Sequence, residues 1–470
     1  MVSKGVIAYA YIAALNVTVE FGVPGSSVTK TQLNSWSQDD LEVESSKIPG
    51  LFNYVGRFYF NVLLNGQEIA YEYNDINSWT GNLDGGSMTS IANTKCHRIG
   101  NLIVTYGFYD AGPGIAGLTD KDQCWVTVSM DQSSWMSNIA PAGSLRAEKL
   151  FATFALPCPH DCGMNSMQSS DVVLNSSAAI FLEAVLANIP IVGEAIKVFI
   201  ASGQAGKVIY GLAITQKESV EDMLALGARY FEFRPGRFPE LVRSQSGLSD
   251  NYYYMHSCIP GMAYDEFLDR TLAFLNQHPQ EIIVIQLRTD GILDEIETPS
   301  AAEKIDILNA ALTRYPGISS SALEDMQKST IRQLRESSKR LIVLDEVDQY
   351  SSYNDILYAT LDGASIITAL NSITSAGQAG RPLTLLQCQA TATNVKDALV
   401  YSIASSNSST SILMSTKAVA DTKTHPWLLA NVQNLTGREL VVVMNDFFDG
   451  ATADITIRLN EARFERTIWT

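Results

Sequence analysis

Tyr264-Asp265-Glu266-Phe267-Leu268-Asp269-Arg270-Thr271-Leu272-Ala273-Phe274-Leu275-Asn276, followed after a short polar break by Ile282-Ile283-Val284-Ile285-Gln286-Leu287, decides how most of this chain is read. Phe267, Leu268, Leu272 and Leu275 recur at helical spacing and give the first segment one apolar face. The second segment is a short, nearly continuous apolar run, the form of a strand buried on both faces. A helix followed by a buried strand is the unit of a parallel sheet with crossover helices. Outward from this unit, runs of the same kind stand at Leu150–Leu156, Tyr230–Arg234, Tyr252–His256, Leu341–Leu344, Leu383–Gln387 and Leu440–Met444. An eighth is expected near Ala364–Ala369. Eight strands over residues 146–470 predict a TIM-type (β/α)8 barrel, distorted or enlarged, since about 250 residues suffice for one.

Residues 1–145 have another rhythm. Arg57–Leu64 and Gln67–Tyr73 flank Asn65-Gly66, and Asn-Gly between apolar runs signals a tight hairpin because both residues tolerate positive φ. Further strands are expected at Asn101–Phe108 and Cys124–Met130, and no stretch shows a helical period. An all-β, sandwich-like domain of unassigned role follows, with His97 as its lone histidine. At the start, Lys4 and the apolar run Gly5–Ala14 have the form of a signal peptide, yet they run without a break into the alternating Asn16–Phe21. The reading taken is a strand of the mature protein.

Composition narrows the classes of partner. A chain of 470 residues is too long for one core and suggests two domains. The formal net charge of −17 repels phosphate backbones and anionic surfaces, which argues against nucleic acid and against purely electrostatic membrane docking. Six widely spaced cysteines suit a reducing, cytoplasmic compartment, whereas sequons at Asn16, Asn175, Asn407 and Asn434 favour secretion. The apolar segment Ala178–Ser202 carries Glu183, Pro190, Glu194 and Lys197, which argues against a spanning helix. It reads either as a lid making transient membrane contact or as helices packed on the barrel.

In a parallel barrel, chemistry gathers where strands end. Those ends carry His160 and Asp161, Glu232 and Arg234, His256, Arg288, Asp345, and Asp446. Two of only five histidines fall on this rim. A histidine pair supplies acid and base near neutrality. Arginine places a fixed fork of positive charge where a phosphoryl group gains negative charge. That set is equipment for phosphoryl transfer.

Pro157-Cys158-Pro159-His160-Asp161-Cys162-Gly163, Arg229-Tyr230-Phe231-Glu232-Phe233-Arg234-Pro235-Gly236, His278-Pro279-Gln280-Glu281 and Asp446-Phe447-Phe448-Asp449 occur in this order. Together they resemble the phosphatidylinositol-specific phospholipase C family, its metal-independent bacterial and fungal members above all. The resemblance begins near residue 150. It implies His160 as general base oriented by Asp446, His256 as general acid beside Asp161, and Arg234 stabilising the phosphorane. Arg288, Glu232 and Asp345 would bind substrate, a phospholipid or a small phosphodiester. Attack by the substrate's own hydroxyl would give a cyclic phosphodiester. No cofactor or metal is implied, since Arg234 stands where calcium-dependent relatives carry a carboxylate ligand. Cys158-Pro159, Cys162 and Glu232 depart from the family pattern and put ordinary phosphatidylinositol in doubt. Four other readings remain: zinc held among Cys158, His160, Cys162, His256 and Cys258; Cys158 and Cys162 as a redox pair; the same chemistry on a soluble metabolite; and an inactive barrel serving a binding β domain.

Overall fold

The computed structural model describes residues 2–114, 118–181, 211, 213–373, 380–391, 411–431, 435 and 439–466. Most of Ala178–Ser202 lies outside them; within it Ala178 is buried and Phe181 packs edge-on against Phe238.

Among the described residues, the N-terminal part holds ten strands: β1 (Ser3–Ile12), β2 (Val17–Val23), β3 (Ser26–Lys30), β4 (Trp36–Glu44), β5 (Val55–Leu64), β6 (Gln67–Asn77), β7 (Leu83–Gly86), β8 (His97–Ile99), β9 (Leu102–Tyr109) and β10 (Asp122–Met130). They form two five-stranded sheets, β4-β1-β10-β9-β8 and β3-β2-β5-β6-β7. Alternate residues of both sheets, such as Val6, Ala8, Val104 and Val126 facing Val19, Phe21, Phe58 and Phe60, share one core. The Asn65-Gly66 turn forms as expected, with φ of 52° and 81° joining β5 to β6. The apolar stretch after Lys4 is strand β1, paired in parallel with β10.

The middle of the first sheet is buried on both faces: all eight residues of β9 and all but the last of β10 are buried, whereas the edge strands β4 and β8 are largely exposed or half-buried. Its second face, with Tyr9, Ile103, Tyr109 and Trp125, merges with Met164, Ile214, Met414 and Phe447 of the C-terminal part. Continuous apolar strands thus arise here from burial on both sides, as they do in parallel sheets.

The C-terminal part is mixed α/β. Its parallel strands are β11 (Ala155–Pro159), β12 (Tyr230–Phe233), β16 (Ile283–Leu287), β17 (Ser320–Ser321), β18 (Leu341–Asp345), β19 (Tyr350–Ser351), β20 (Leu383–Gln387) and β21 (Leu440–Asn445). They fall into two four-stranded sheets, β11-β21-β20-β19 and β12-β16-β18-β17. Leu156, Tyr230, Val284, Ile342, Leu385 and Val442 point from both sheets into one core. The sheets meet where the Arg229 N–H donates to the Pro157 carbonyl at 3.0 Å, and no ladder among the described residues closes them into the expected barrel.

Three expected strands differ. Ala364–Ile373 is a helix: its Ile366, Ala369, Leu370 and Ile373 are buried at helical spacing, and that period outweighs the β-branched residues. Strand β14 (Tyr253–His256) belongs to a three-stranded antiparallel sheet between β13 (Pro235–Gly236) and β15 (Ile259–Ala263). Only Ser257-Cys258 separates β14 from β15, and so short a link forces an antiparallel return. Leu150–Leu156 opens instead with a 3₁₀ turn at Phe151–Thr153, so the strand runs later, over Ala155–Pro159. Beneath the strands, Arg229 and Glu281 form a buried ion pair at 2.8 Å, which assigns both motif residues to bracing.

Candidate active site

Strand β11 delivers His160 and Asp161, β12 delivers Glu232 and Arg234, β14 ends on His256, and β21 leads into Asp446. The His160 Nδ1–H donates to Asp446 Oδ1 at 2.7 Å. A carboxylate can only accept here, so this bond fixes the ring and its tautomer and leaves Nε2 on the Asp161 side. Asp161 lies between both imidazoles. Its Oδ1 is 3.6 Å from His160 Nε2 and 3.6 Å from Arg234 Nη1, and its Oδ2 is 3.7 Å from His256 Nε2. Tyr254 Oη also donates to Asp161. Asp161 is 1% exposed, while the side chains of His160, Arg234 and His256 are 20%, 18% and 33% exposed. The carboxylate is therefore the floor, and the imidazole and guanidinium edges are what a ligand meets.

Arg234 is gripped by Glu232, with Nε and Nη2 at 2.9 and 2.7 Å from Oε1. Arg288 reaches Glu232 only at 4.0 Å and donates instead to Asp290 at 2.6 Å. Asp345 pairs with Lys304 at 2.6 Å, is half exposed, and does not join the cluster. The thiols do not converge on the histidines: Cys162 Sγ–H donates to the Glu232 carbonyl and Cys158 Sγ–H to that of Pro159. All six cysteines are free.

The charges are set by neighbours. Burial alone would lower the pKa of His160, but the carboxylates of Asp161 and Asp446 raise it to about 9. Burial lowers that of His256, and the single carboxylate of Asp161 does not offset it beside Arg234. Asp161 is held well below the carboxylate range: burial opposes ionisation, but His160, Arg234 and His256 outweigh it. At neutral pH the resting site thus holds His160 charged and His256 neutral. This differs from the division of labour that the family resemblance implies, because two carboxylates flank His160 and only one faces His256.

The backbone around the site is unusual. Asp161, Ser257, Glu346 and Phe447 have φ of 44°, 63°, 49° and 42°, each one or two residues past a strand end. Left-handed non-glycine residues cost about 1–3 kcal/mol each and persist where the surroundings impose them. One clamp is Gln216. Its Nε2 donates to the carbonyls of His160 at 2.7 Å and Asn445 at 3.1 Å, and its Oε1 accepts the Phe448 N–H at 2.8 Å. It ties the first strand's loop to the last. Sequence reading missed Gln216 and Tyr254, because neither residue type announces a role until the loops are folded together. Beneath Asp446 lies a buried network: Lys417 contacts Asp421 and Asp449, Asn445 Nδ2 donates to Asp421 at 2.8 Å, and the Trp36 indole donates to His425 Nδ1 at 3.0 Å.

No protein-family model matches the chain, and no curated protein matches it. Solved structures of low similarity exist. Phosphatidylinositol-specific phospholipase C from Listeria monocytogenes is 15% identical with a TM-score of 0.40, over 70% of this chain and 99% of that one. A mutant of the enzyme of the same name from Staphylococcus aureus is 12% identical with a TM-score of 0.39, over 70% and 96%. Likeness at that level assigns no role to any residue.

Among the described residues, Cys96, Glu218 and Asp222 are the one set of three whose ligand atoms lie close enough to share a metal ion. Glu218 is already paired with Lys217 and Asp222 with Arg98, so the set is neutralised from within.

Proposed function

We propose that this chain is a phosphodiesterase working by paired histidines over a guanidinium. The observation that carries the reading is the convergence of His160, His256 and Arg234 on one buried carboxylate, with their outer edges open to solvent. An acid and a base within reach of one phosphate, beside a fixed positive charge, is what in-line displacement requires. The resting charges favour His256 as proton acceptor from the attacking hydroxyl and His160 as donor to the leaving oxygen. The hydroxyl oxygen bonds to phosphorus, the ester P–O bond to the leaving group breaks, and one proton passes at each end. Arg234 meets the charge that grows on the equatorial oxygens.

The attacking hydroxyl is proposed to be the substrate's own, giving a cyclic phosphodiester, with an inositol phospholipid as the leading substrate. A soluble phosphodiester is the second reading, supported by the departures at Cys158, Pro159 and Cys162. Phosphorus NMR of products from inositol lipids and soluble diesters checks both points.

The test of the histidine roles uses two leaving groups. His160→Ala and His256→Ala should each lose at least ~100-fold in kcat on an alkyl diester. On a nitrophenyl diester, whose leaving group needs no proton, His160→Ala should recover most of that loss and His256→Ala should not. The opposite recovery would reverse the roles. No loss in either variant would end the phosphodiesterase reading.

A further inference from the structure

We infer that Leu51, Phe52 and Trp79, at one tip of the N-terminal sheets, form a lipid-docking surface on the side toward which the candidate active site opens. The inference goes beyond the catalytic reading and does not depend on it.

These side chains are 88%, 79% and 65% exposed, far more than apolar groups of that size ordinarily are. They come from two loops that the strand registers place together. Residues 45–54 join β4 to β5, and residues 78–82 follow β6; Val55 pairs with Asn77, and Ser78 N–H donates to the Tyr54 carbonyl at 2.8 Å. The Tyr54 and Trp79 rings lie 5.5 Å apart. The two loops thus meet at Tyr54, with Phe52 and Leu51 two and three residues before it and Trp79 against its ring, so the exposed groups share one tip, and a patch is what marks an interaction site. Phe52 has φ of 59°, a left-handed conformation that bulky residues avoid, and it turns the ring outward.

The tip's position follows from the strands. Gln132, just past β10, donates to the Ala225 carbonyl, near the start of β12 and hence the base of the parallel strands. Ser129 touches Gly450, just past the end of β21 and hence on the rim of the candidate site. From Ser129, β10 runs back to Asp122, roughly 20 Å at ~3.3 Å per residue. Val6 pairs with Asp122 and Ser3 with Glu44, so the loop bearing Leu51 and Phe52 lies at that far end, beyond the rim. Ile356, 83% exposed, stands in the segment between β19 and β20, on the same side as the β20 strand end.

Charge selects the occupant. The chain carries −17, yet residues 45–54 and 78–82 contain one lysine and no carboxylate. Glu44, beside Lys47, and the exposed Asp84 flank the tip, while its own loops bear tyrosine, tryptophan and large apolar groups and no carboxylate, which suits the boundary of a bilayer, where aromatic rings settle at headgroup depth. The acidic remainder disfavours an anionic surface, so the fit is to a zwitterionic one.

The experiment is co-sedimentation of the full chain with phosphatidylcholine vesicles. The unaltered protein should partition onto them, and equally at about 0.1 and 0.5 M salt, since apolar insertion is not screened as charge attraction is. Leu51→Ser/Phe52→Asn/Trp79→Ser should lower partitioning at least ~10-fold, and Phe52→Asn alone in part; asparagine keeps the left-handed backbone. The triple variant should cleave a soluble diester as the unaltered protein does. Absent partitioning, equal partitioning of the triple variant, or a dimer that the triple variant dissolves would each overturn the inference, the last by giving the patch to a second copy. Partitioning without any cleavage would count against the phosphodiesterase reading alone.

Discussion

Replacing Asp446 with asparagine is the sharpest probe of the site's electrostatics. His160 sits at about 9 rather than 6.5, a preference of roughly 3 kcal/mol for its charged form at about 1.4 kcal/mol per pH unit. Burial works against that preference, so Asp161 and Asp446 supply more than the net. Asp161 raises the pKa by charge from 3.6 Å, and Asp446 raises it by charge and by its hydrogen bond at 2.7 Å. Loss of Asp446 should lower the pKa of His160 by about 1–3 units. The sign follows from linkage. A raised histidine stabilises the fold fully below its unfolded pKa and loses that contribution as pH rises from about 6.5 through about 9. Asp446→Asn should therefore flatten the fall of stability over that window. In kcat/KM, the alkaline limb should move down toward neutrality while the acid limb, set by His256, stays lower and nearly fixed. NMR titration of the imidazoles beside a pH–rate series reads both. A folded Asp446→Asn protein whose alkaline limb and His160 titration stay in place would refute the electrostatic account.

Three other outcomes are expected. Turnover should persist in chelator, because Arg234 occupies the carboxylates that a hard cation would need; loss in EDTA restored by calcium would reverse this. Arg234→Gln should cost at least ~100-fold in kcat, since the guanidinium meets charge that grows toward the transition state. Gln216→Ala should lower kcat about 10-fold or more with little change in KM, because it loosens the loops bearing His160 and Asp446 without touching a ligand; equal effects on both constants would make Gln216 merely structural.

The sequence shows where chemistry gathers more clearly than how the strands close. His160, Asp161, Arg234, His256 and Asp446 were legible because each follows a short apolar run, and the structure brings all five together. Arg288 and Asp345 follow such runs too, but position at a strand end says nothing about which charge a side chain finds first: Asp290 and Lys304 reach them within 2.6 Å. Tyr253–His256 reads as one more buried strand, and only the two-residue return at Ser257-Cys258 reveals a hairpin. Continuous burial of β9 comes from contact between the two parts of the chain, which no local pattern records. Left-handed backbone at Asp161 and Phe447 is equally silent, since neither is glycine.

On the proposed reading, charge balance at the site would favour a diester over more highly charged phosphates. The cations within reach are His160, Arg234 and Arg288; the carboxylates among them are Asp161, Glu232, Asp446 and Asp290. Three cations thus face four carboxylates, so the cluster carries no net positive charge, in a chain that is strongly negative overall. A monoester dianion or a pyrophosphate would bring two or more charges to groups already paired, with desolvation left uncompensated. A diester brings one, and needs only the outward edges of Arg234 and His160. The buried Asp161 sharpens the discrimination, because each further charge on the ligand would face that carboxylate a few ångströms below. The same carboxylate holds Arg234 and both imidazoles around one point, so that on the proposed reading a phosphate would exchange solvent at their edges rather than rebuild the cluster.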